Sequence, residues 1–301
     1  MDTEPPTASF LKSMLLGGGP VNANVIQQTE SLMSMQMAEL HFKSPPSYDA
    51  ALIATRAEEL LDSGIESPAS DSDILLFFHT KHQIEYKEGA APAQTAILAT
   101  DKPTDAEAYA ERIQQSWSCD DAAERIASST TSRLVTEMMS RNLEPIERIR
   151  LFHGVLQAFA EITQPHAIVF SHSQQVVAGD AYLKSCSDDP IQRLGSLNVR
   201  FFNISNSDTD DVIMDVRGLD EIGLHDLQCH FRDLDPNAVS RVLFNTGLYI
   251  FENGPVIESG QTVAGTEPNS KWLCQFENSL LEPQRELLDL NPGSPFAAGG
   301  R

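Results

Sequence analysis

The strongest constraint on how this chain folds is the stretch Gly223 to Pro255, GLHDLQCHFRDLDPNAVSRVLFNTGLYIFENGP. Asp235 has N-cap chemistry, Pro236 suits the first helical position because no intrahelical bond needs its missing N–H, and Leu234 is placed to staple onto Val239. Val239, Val242, Leu243, Thr246 and Ile250 recur at helical spacing, and Leu248, Tyr249 and Phe251 widen the apolar surface. Gly254 followed by Pro255 stops the pattern, since glycine accepts positive φ and proline cannot continue a helix. A helix apolar on most sides needs another layer to cover it.

The rest of the chain supplies candidates for that layer. Ala38, Leu40 and Phe42 alternate with Glu39 and His41 as in a half-buried strand, and Leu52, Ile53, Ala57, Leu60 and Leu61 make a helical stripe. Ile74–Phe78 and Thr95–Ala99 read as strands joined through a turn at Tyr86–Gly89. Thr104-Asp105-Ala106-Glu107 is a capping box opening a helix with Ala106, Tyr109, Ala110, Ile113 and Trp117 on one face. A short helix and a strand over Arg133–Met138 follow. The order βαββαβ predicts a ferredoxin-like half over residues 36–142. An amphipathic helix over 143–165, with Ile146, Ile149, Phe152, Leu156 and Phe159 inward, leads into a second half over 166–293. There the strand Ala167–Phe170, a helix to Ser185, strands Leu197–Ile204 and Val212–Val216, the helix after Asp235, and strands Lys271–Phe276 and Arg285–Leu290 repeat the order. The expected fold is therefore α+β: two ferredoxin-like halves packed together, with antiparallel or mixed sheets and helices on one face. Residues 1–35 and 294–301 read as a flexible and a loose tail.

The run GLHDLQCHFRDLDPNAVSRVLFNTGLYIFENG and the segment Trp272–Gly293 resemble the bacterial family of domain of unknown function 4261. So do EYKEGAAPAQTAIL (Glu85–Leu98), QSW (Gln115–Trp117), RLFHGVLQAF (Arg150–Phe159) and LNVRFFNI (Leu197–Ile204). The resemblance covers roughly residues 36–293 and is strongest after residue 197. It implies an architecture like the one read above, and no particular reaction, ligand or cofactor.

The residues with chemistry to offer cluster at His225, Asp226, Gln228, Cys229 and His230. Read as a helix end, His225 and Cys229 share a face and would make half of a zinc site, while Asp226 and His230 share the next. The plainer alternative is polar capping, with Cys229 packed as a small hydrophobe. Neighbours on a helix diverge by about 100°, so Cys229 and His230 do not form a thiol–base pair. Asp215, Glu252 and Glu277 are acids beside apolar runs, read as solvated positions. Ser171-His172-Ser173 lacks a nucleophile elbow, and Ser173 reads as a helix cap. No phosphate loop or calcium loop is present.

With 21 Lys and Arg against 43 Asp and Glu, the net charge is -22, which argues against a nucleic-acid or anionic-membrane surface and suits a basic protein partner. Four cysteines without a CxxC pair, and no secretory signal, suggest a cytoplasmic protein with free thiols. The expected function is a non-catalytic protein-interaction module, an adaptor or immunity-type inhibitor, with no cofactor. The alternative is an enzyme or small-ligand binder with a pocket near Asp226, Gln228 and His230, with zinc from His225 and Cys229 as a variant.

Overall fold

A computed structural model describes residues 35–67, 74–87, 89–100, 105–204 and 210–298. The expected N-terminal tail up to residue 34, Thr104 of the capping box, the segment 205–209 between the expected strands Leu197–Ile204 and Val212–Val216, and residues 299–301 lie outside the described residues.

The chain is α+β, with two sheets. The first half supplies β1 (Met37–Phe42), α1 (Ala50–Leu61), β2 (Ile65–Glu66), β3 (Ile74–Tyr86), β4 (Gly89–Thr100), α2 (Ala110–Gln114), α3 (Ala122–Ala127), β5 (Thr131–Met138), α4 (Pro145–Thr163), β6 (Ala167–Phe170), β7 (Gln175–Ala178) and α5 (Gly179–Ser185). These strands form one seven-stranded sheet in the order β2-β3-β4-β5-β1-β6-β7, antiparallel at every pairing. The second sheet has six strands, ordered β11-β12-β13-β10-β9-β8: β8 (Asn198–Asn203), β9 (Val212–Arg217), β10 (Leu227–Phe231), β11 (Thr262–Ala264), β12 (Lys271–Asn278) and β13 (Glu286–Asn291). Only β10 and β13 run parallel. The long α6 (Pro236–Asn253) crosses between them.

This strand order departs from the βαββαβ expectation. β5 lies between β4 and β1, where a ferredoxin-like unit would pair the first and third strands directly. β6, read as opening the second half, pairs with β1 and belongs to the first sheet. Helices also lie on both faces of that sheet. α1 and α4 cover one side through Ile53, Ala57, Phe152 and Phe159, and α2 and α3 cover the other through Ile113 and Ile126. The apolar runs of β6 and β7, buried at every residue, explain why both faces need cover.

α6 forms as its sequence predicts. Asp235 accepts a hydrogen bond from the Asn237 N–H at 3.1 Å, Pro236 is the first residue, and Gly254 follows with φ 77°. Its buried residues Val239, Leu243, Thr246, Gly247 and Ile250 pack on the sheet, while Tyr249, off that face, is 50 % exposed. It is a one-faced cover rather than an interior helix. The interior helix is α4: from Arg148 to Ala160 every residue except Arg150 is buried. α1 packs along it on one flank, and Ile149 reaches into the core of the second sheet. Ile146, expected inward, is 52 % exposed in the first turn.

The edge of the second sheet docks on the first half through polar groups. Gln115, just past α2, acts as a surrogate strand: its side-chain amide donates to the Phe201 carbonyl and accepts from the Phe201 N–H, both at 2.9 Å. This satisfies the centre of the β8 edge. The C-terminal residues through Ala298, expected to be loose, are pinned along β10: Arg232 N–H donates to the Phe296 carbonyl, Phe231 bridges Ala297, and Ala298 is buried.

Gly218 ends β9 with φ 119°, and a β-carbon there would lie 2.1 Å from the Ser196 carbonyl oxygen. Gly218→Ala therefore meets both backbone strain and a backbone clash. The expected loss is about 1–3 kcal/mol, read as a lowered urea midpoint with unchanged slope.

Candidate functional site

The site is built on the face of the second sheet turned away from α6. Strand alternation sorts the residues: Leu227, Cys229 and Phe231 of β10 enter the α6 core with Met214 and Val216 of β9. Asp215, Arg217 and Gln228 lie on the opposite face, where Arg200 of β8 pairs in register with Asp215 and Asp289 of β13 with Gln228. Water would normally solvate such a row. Here it is buried, and the side chains satisfy one another.

Arg200 grips Asp215 with both ends of its guanidinium, at 2.9 Å to Oδ1 and 2.7 Å to Oδ2, and reaches the exposed Glu111 at 3.1 Å. Arg285, from the 279–285 loop that folds over this face, bridges two acids: Nη2 to Asp215 Oδ2 at 3.0 Å and Nε to Asp226 Oδ2 at 2.8 Å. Arg217 continues the chain, with Nη1 3.0 Å from Asp226 Oδ2 and Nη2 donating to Glu221 Oε1 at 3.0 Å. Asp226 Oδ1 accepts from the Leu219 and Asp220 N–H groups, fixing the turn between β9 and β10. Three arginines thus interlock with three buried carboxylates.

Beside this network lies a cavity of about 480 Å³ where the two sheets meet. Arg112 of α2 and His172 of the β6–β7 turn line it from the first half; Arg217, Asp220, Glu221 and Arg285 line it from the second. Burial holds the His172 imidazole neutral, with its pKa lowered to about 4. Burial also raises Glu221 to about 8, reinforced by Asp226 and Asp220 and opposed by Arg217. Glu221 is 4 % exposed, and among the described residues its Oε2 has no hydrogen-bond partner, nor does Arg217 Nε. Asp220 is raised as well, first by burial and then by Asp226. This wall combines a neutral imidazole, a carboxyl that holds its proton near neutrality, and fixed guanidinium groups.

The residues expected to matter are distributed unevenly. Residues 227–231 form a strand, not a helix end, so Asp226, Gln228 and His230 alternate along one face. Only Asp226 adjoins the cavity, through Arg217 and Arg285. Gln228 is engaged elsewhere, donating to Asp289 Oδ1 at 3.0 Å and accepting from the Leu280 N–H at 3.0 Å. His230 is half-buried further along β10. The helical pairing of His225 with Cys229 fails for the same reason: four residues of extended chain span about 13 Å, against about 6 Å along a helix. His225 packs on the Phe276 ring at 4.7 Å, and Cys229 is fully buried in the α6 core with its thiol pKa pushed well up by burial. Among the described residues no three His, Cys, Asp or Glu side chains assemble as a metal site. Asp215 is a buried ion-pair partner rather than a solvated acid, while Glu252 is exposed on α6. Ser173 is no helix cap; it sits in the β6–β7 turn and donates to the Gly195 carbonyl at 2.7 Å.

Sequence reading passed over Arg112, Arg200, Arg217, Glu221 and Arg285. The available signal was an Asp and an Arg inside the otherwise apolar run VIMDVR, which a buried strand tolerates only when both are paired.

Residues 215–291 match the family described as Domain of unknown function (DUF4261). The matched segment begins at Asp215 in β9, ends with β13, and contains Arg217, Glu221, Asp226 and Arg285. No curated protein and no solved structure matches the chain. Among the described residues no helix is long and apolar enough to cross a membrane.

Two outcomes test the site's electrostatics. Arg285→Met leaves Asp215 and Asp226 short of a counter-charge in a buried setting, with an expected loss of about 3–5 kcal/mol in urea unfolding; Glu111→Gln, at an exposed partner, costs less than about 1 kcal/mol. Glu221 holds its proton longer folded (about 8) than unfolded (4.5). Its contribution is therefore fully present below the unfolded value and is lost as pH rises through the folded one. Relative to the wild type, Glu221→Gln gains melting temperature between pH 5 and 8.5; a difference that stays flat with pH would refute the raised carboxyl.

Proposed function

We propose that this chain is a small-ligand-binding protein whose site is the cavity between the two sheets. The observation that carries the reading is a contrast within one buried network. Arg200, Arg285, Asp215 and Asp226 have saturated partners, while Glu221 and Arg217, equally buried and both lining the cavity, keep Oε2 and Nε without a hydrogen-bond partner among the described residues. Buried polar atoms are normally partnered, so leaving two of them on a cavity wall favours a site completed by a ligand. Rigid arginines and a protonated carboxyl would orient a polar molecule, and acid–base chemistry at Glu221 remains compatible with the same site.

The test is thermal denaturation of the full chain with fractionated small-molecule extract, compared with Ser171→Trp, which fills the cavity from the β6–β7 turn. A ligand at 100 times its Kd stabilises by about 2.7 kcal/mol, enough to move the melting temperature by several degrees. A shift in the wild type that Ser171→Trp abolishes is expected. Equal responses in the two proteins would place the ligand elsewhere and sink the reading.

A second reading, an adaptor or immunity-type inhibitor of a basic protein, is favoured by a different feature. Trp117 is 63 % exposed at a groove of about 630 Å³ lined by Val199, Phe201 and Phe244, on a chain of net charge -22. Aromatic residues over apolar grooves anchor protein partners, and the acidic field would speed capture of a basic one. Association that slows with added salt and weakens at least tenfold in Trp117→Ala is the expected signature. The cytoplasmic setting belongs to the same proposal, supported by four free cysteines, three of them buried.

A further inference from the structure

We infer that the cavity between the sheets takes a small zwitterion of the amino-acid or dipeptide class, its carboxylate on Arg112 and its ammonium on Asp220. The inference rests on the ligand-binding reading and comes from counting charges around the cavity. Arg200, Arg217 and Arg285 are each within ion-pair distance of two carboxylates, drawn from Glu111, Asp215, Glu221 and Asp226. Two charged side chains on the cavity wall stand outside this scheme. Arg112 makes no ion pair among the described residues; its Nε donates to Gln174 Oε1 at 3.0 Å, its guanidinium lies 5.6 Å from the Tyr109 ring centre, and both Nη groups are uncommitted. The Asp220 carboxylate makes neither a hydrogen bond nor an ion pair among the described residues.

These two groups approach the cavity from opposite halves of the molecule, Arg112 from α2 and Asp220 from the turn after β9, and they do not pair with each other. Burial works against both charges, lowering the pKa of Arg112 and raising that of Asp220. Glu39 and Glu111 act on Arg112, and Arg217 and Arg285 on Asp220, only from beyond ion-pair contact; a partly desolvated charge without a contact ion pair is costly, and one ligand carrying both complementary charges offsets the cost at both ends. The paired Nη groups of an arginine match a carboxylate bidentately, and a carboxylate suits the three donors of an ammonium. A second observation concerns the same cavity: its lining includes the nine-tenths-buried Glu221, whose Oε2 has no hydrogen-bond partner among the described residues. Met35, Met37 and Pro283 supply an apolar wall for the ligand's body. A volume of about 480 Å³ suits a large amino acid or a dipeptide.

Calorimetric titration of the full chain with the standard L-amino acids and a set of dipeptides tests this, alongside N-acetyl analogues that lack the ammonium and amides that lack the carboxylate. At least one zwitterion is expected to bind, with each blocked analogue weaker by tenfold or more. In Arg112→Met the amide should bind as well as its parent; in Asp220→Asn the N-acetyl analogue should. Both variants remove an unpaired charge, so each should keep or raise the melting temperature, and a fall of several degrees in either would overturn the charge count. If dicarboxylates, inorganic phosphate or polyamines bind in a cavity-dependent way and no zwitterion does, the zwitterion is wrong and the ligand cavity stands. If none of these probes binds at millimolar concentration, and small-molecule extract leaves the melting temperature unmoved, both readings fall.

Discussion

The alternation of arginine and carboxylate across the inner face of the second sheet is the constraint on which the rest of the structure depends. Arg200, Asp215, Arg285, Asp226, Arg217 and Glu221 come from β8, β9, the turn after β9, the start of β10 and the loop before β13, and each touches the next. Ions in such a setting lose several kcal/mol of hydration apiece, so the arrangement is tolerable only while every strand keeps its register. A slip of one residue would turn Asp215 and Arg217 into the α6 core and bring Met214 and Val216 to the polar face. The same network ties the loop around Arg285 down over the sheet and gives the cavity a rigid floor.

That floor explains why the cavity forms where it does. The two sheets do not merge; they meet through Gln115 on the edge of β8, through Asn198 on the carbonyls of Gln115 and Gln174, and through Arg217 on the His172 carbonyl. Polar contacts of this kind are directional and leave gaps that apolar side chains would fill. α4 holds the two halves at a set distance because it is buried along most of its length and contributes to both cores. The gap left between a saturated ion network on one side and the β6–β7 turn on the other is the cavity.

Local chemistry made much of the fold legible and little of the site. α6 was readable because its cap, first-turn proline, apolar stripe and stop are all local. β1, β3, β4, β5, β8, β9, β12 and β13 were readable from alternation or from short apolar runs. β10 was not: LQCHF is only five residues long, follows a Gly-Leu-His-Asp turn, and places His225 and Cys229 at a spacing that suits a helix as well as a strand. The sheet order was unreadable because pairing partners are set by distant chain segments. The site failed for the same reason. Asp215 and Arg285 are 70 residues apart in sequence, and Arg200 and Glu111 are 89 apart, so each looks like an isolated charge until the sheet is assembled. His172 drew notice within Ser171-His172-Ser173, a stretch without a nucleophile elbow, whereas its place in the structure is a neutral wall of the cavity.

The cavity also gives the acidic composition a local meaning that the net charge hides. Around the site the charges are matched almost one for one, and the excess of acid lies elsewhere on the molecule. A protein selected for stability alone would have no reason to leave Arg112 and Asp220 on one cavity without an ion pair among the described residues, or to bury Glu221 there with one oxygen unpartnered. Apolar side chains of similar volume at those positions would remove the desolvation cost. Departures from that pattern concentrate where binding requires them, because a group already satisfied by its own protein has little left to offer a ligand. On the ligand-binding proposal the saturated half of the network and its unsatisfied margin are complementary: the first fixes the geometry, and the second would keep the capacity to bind.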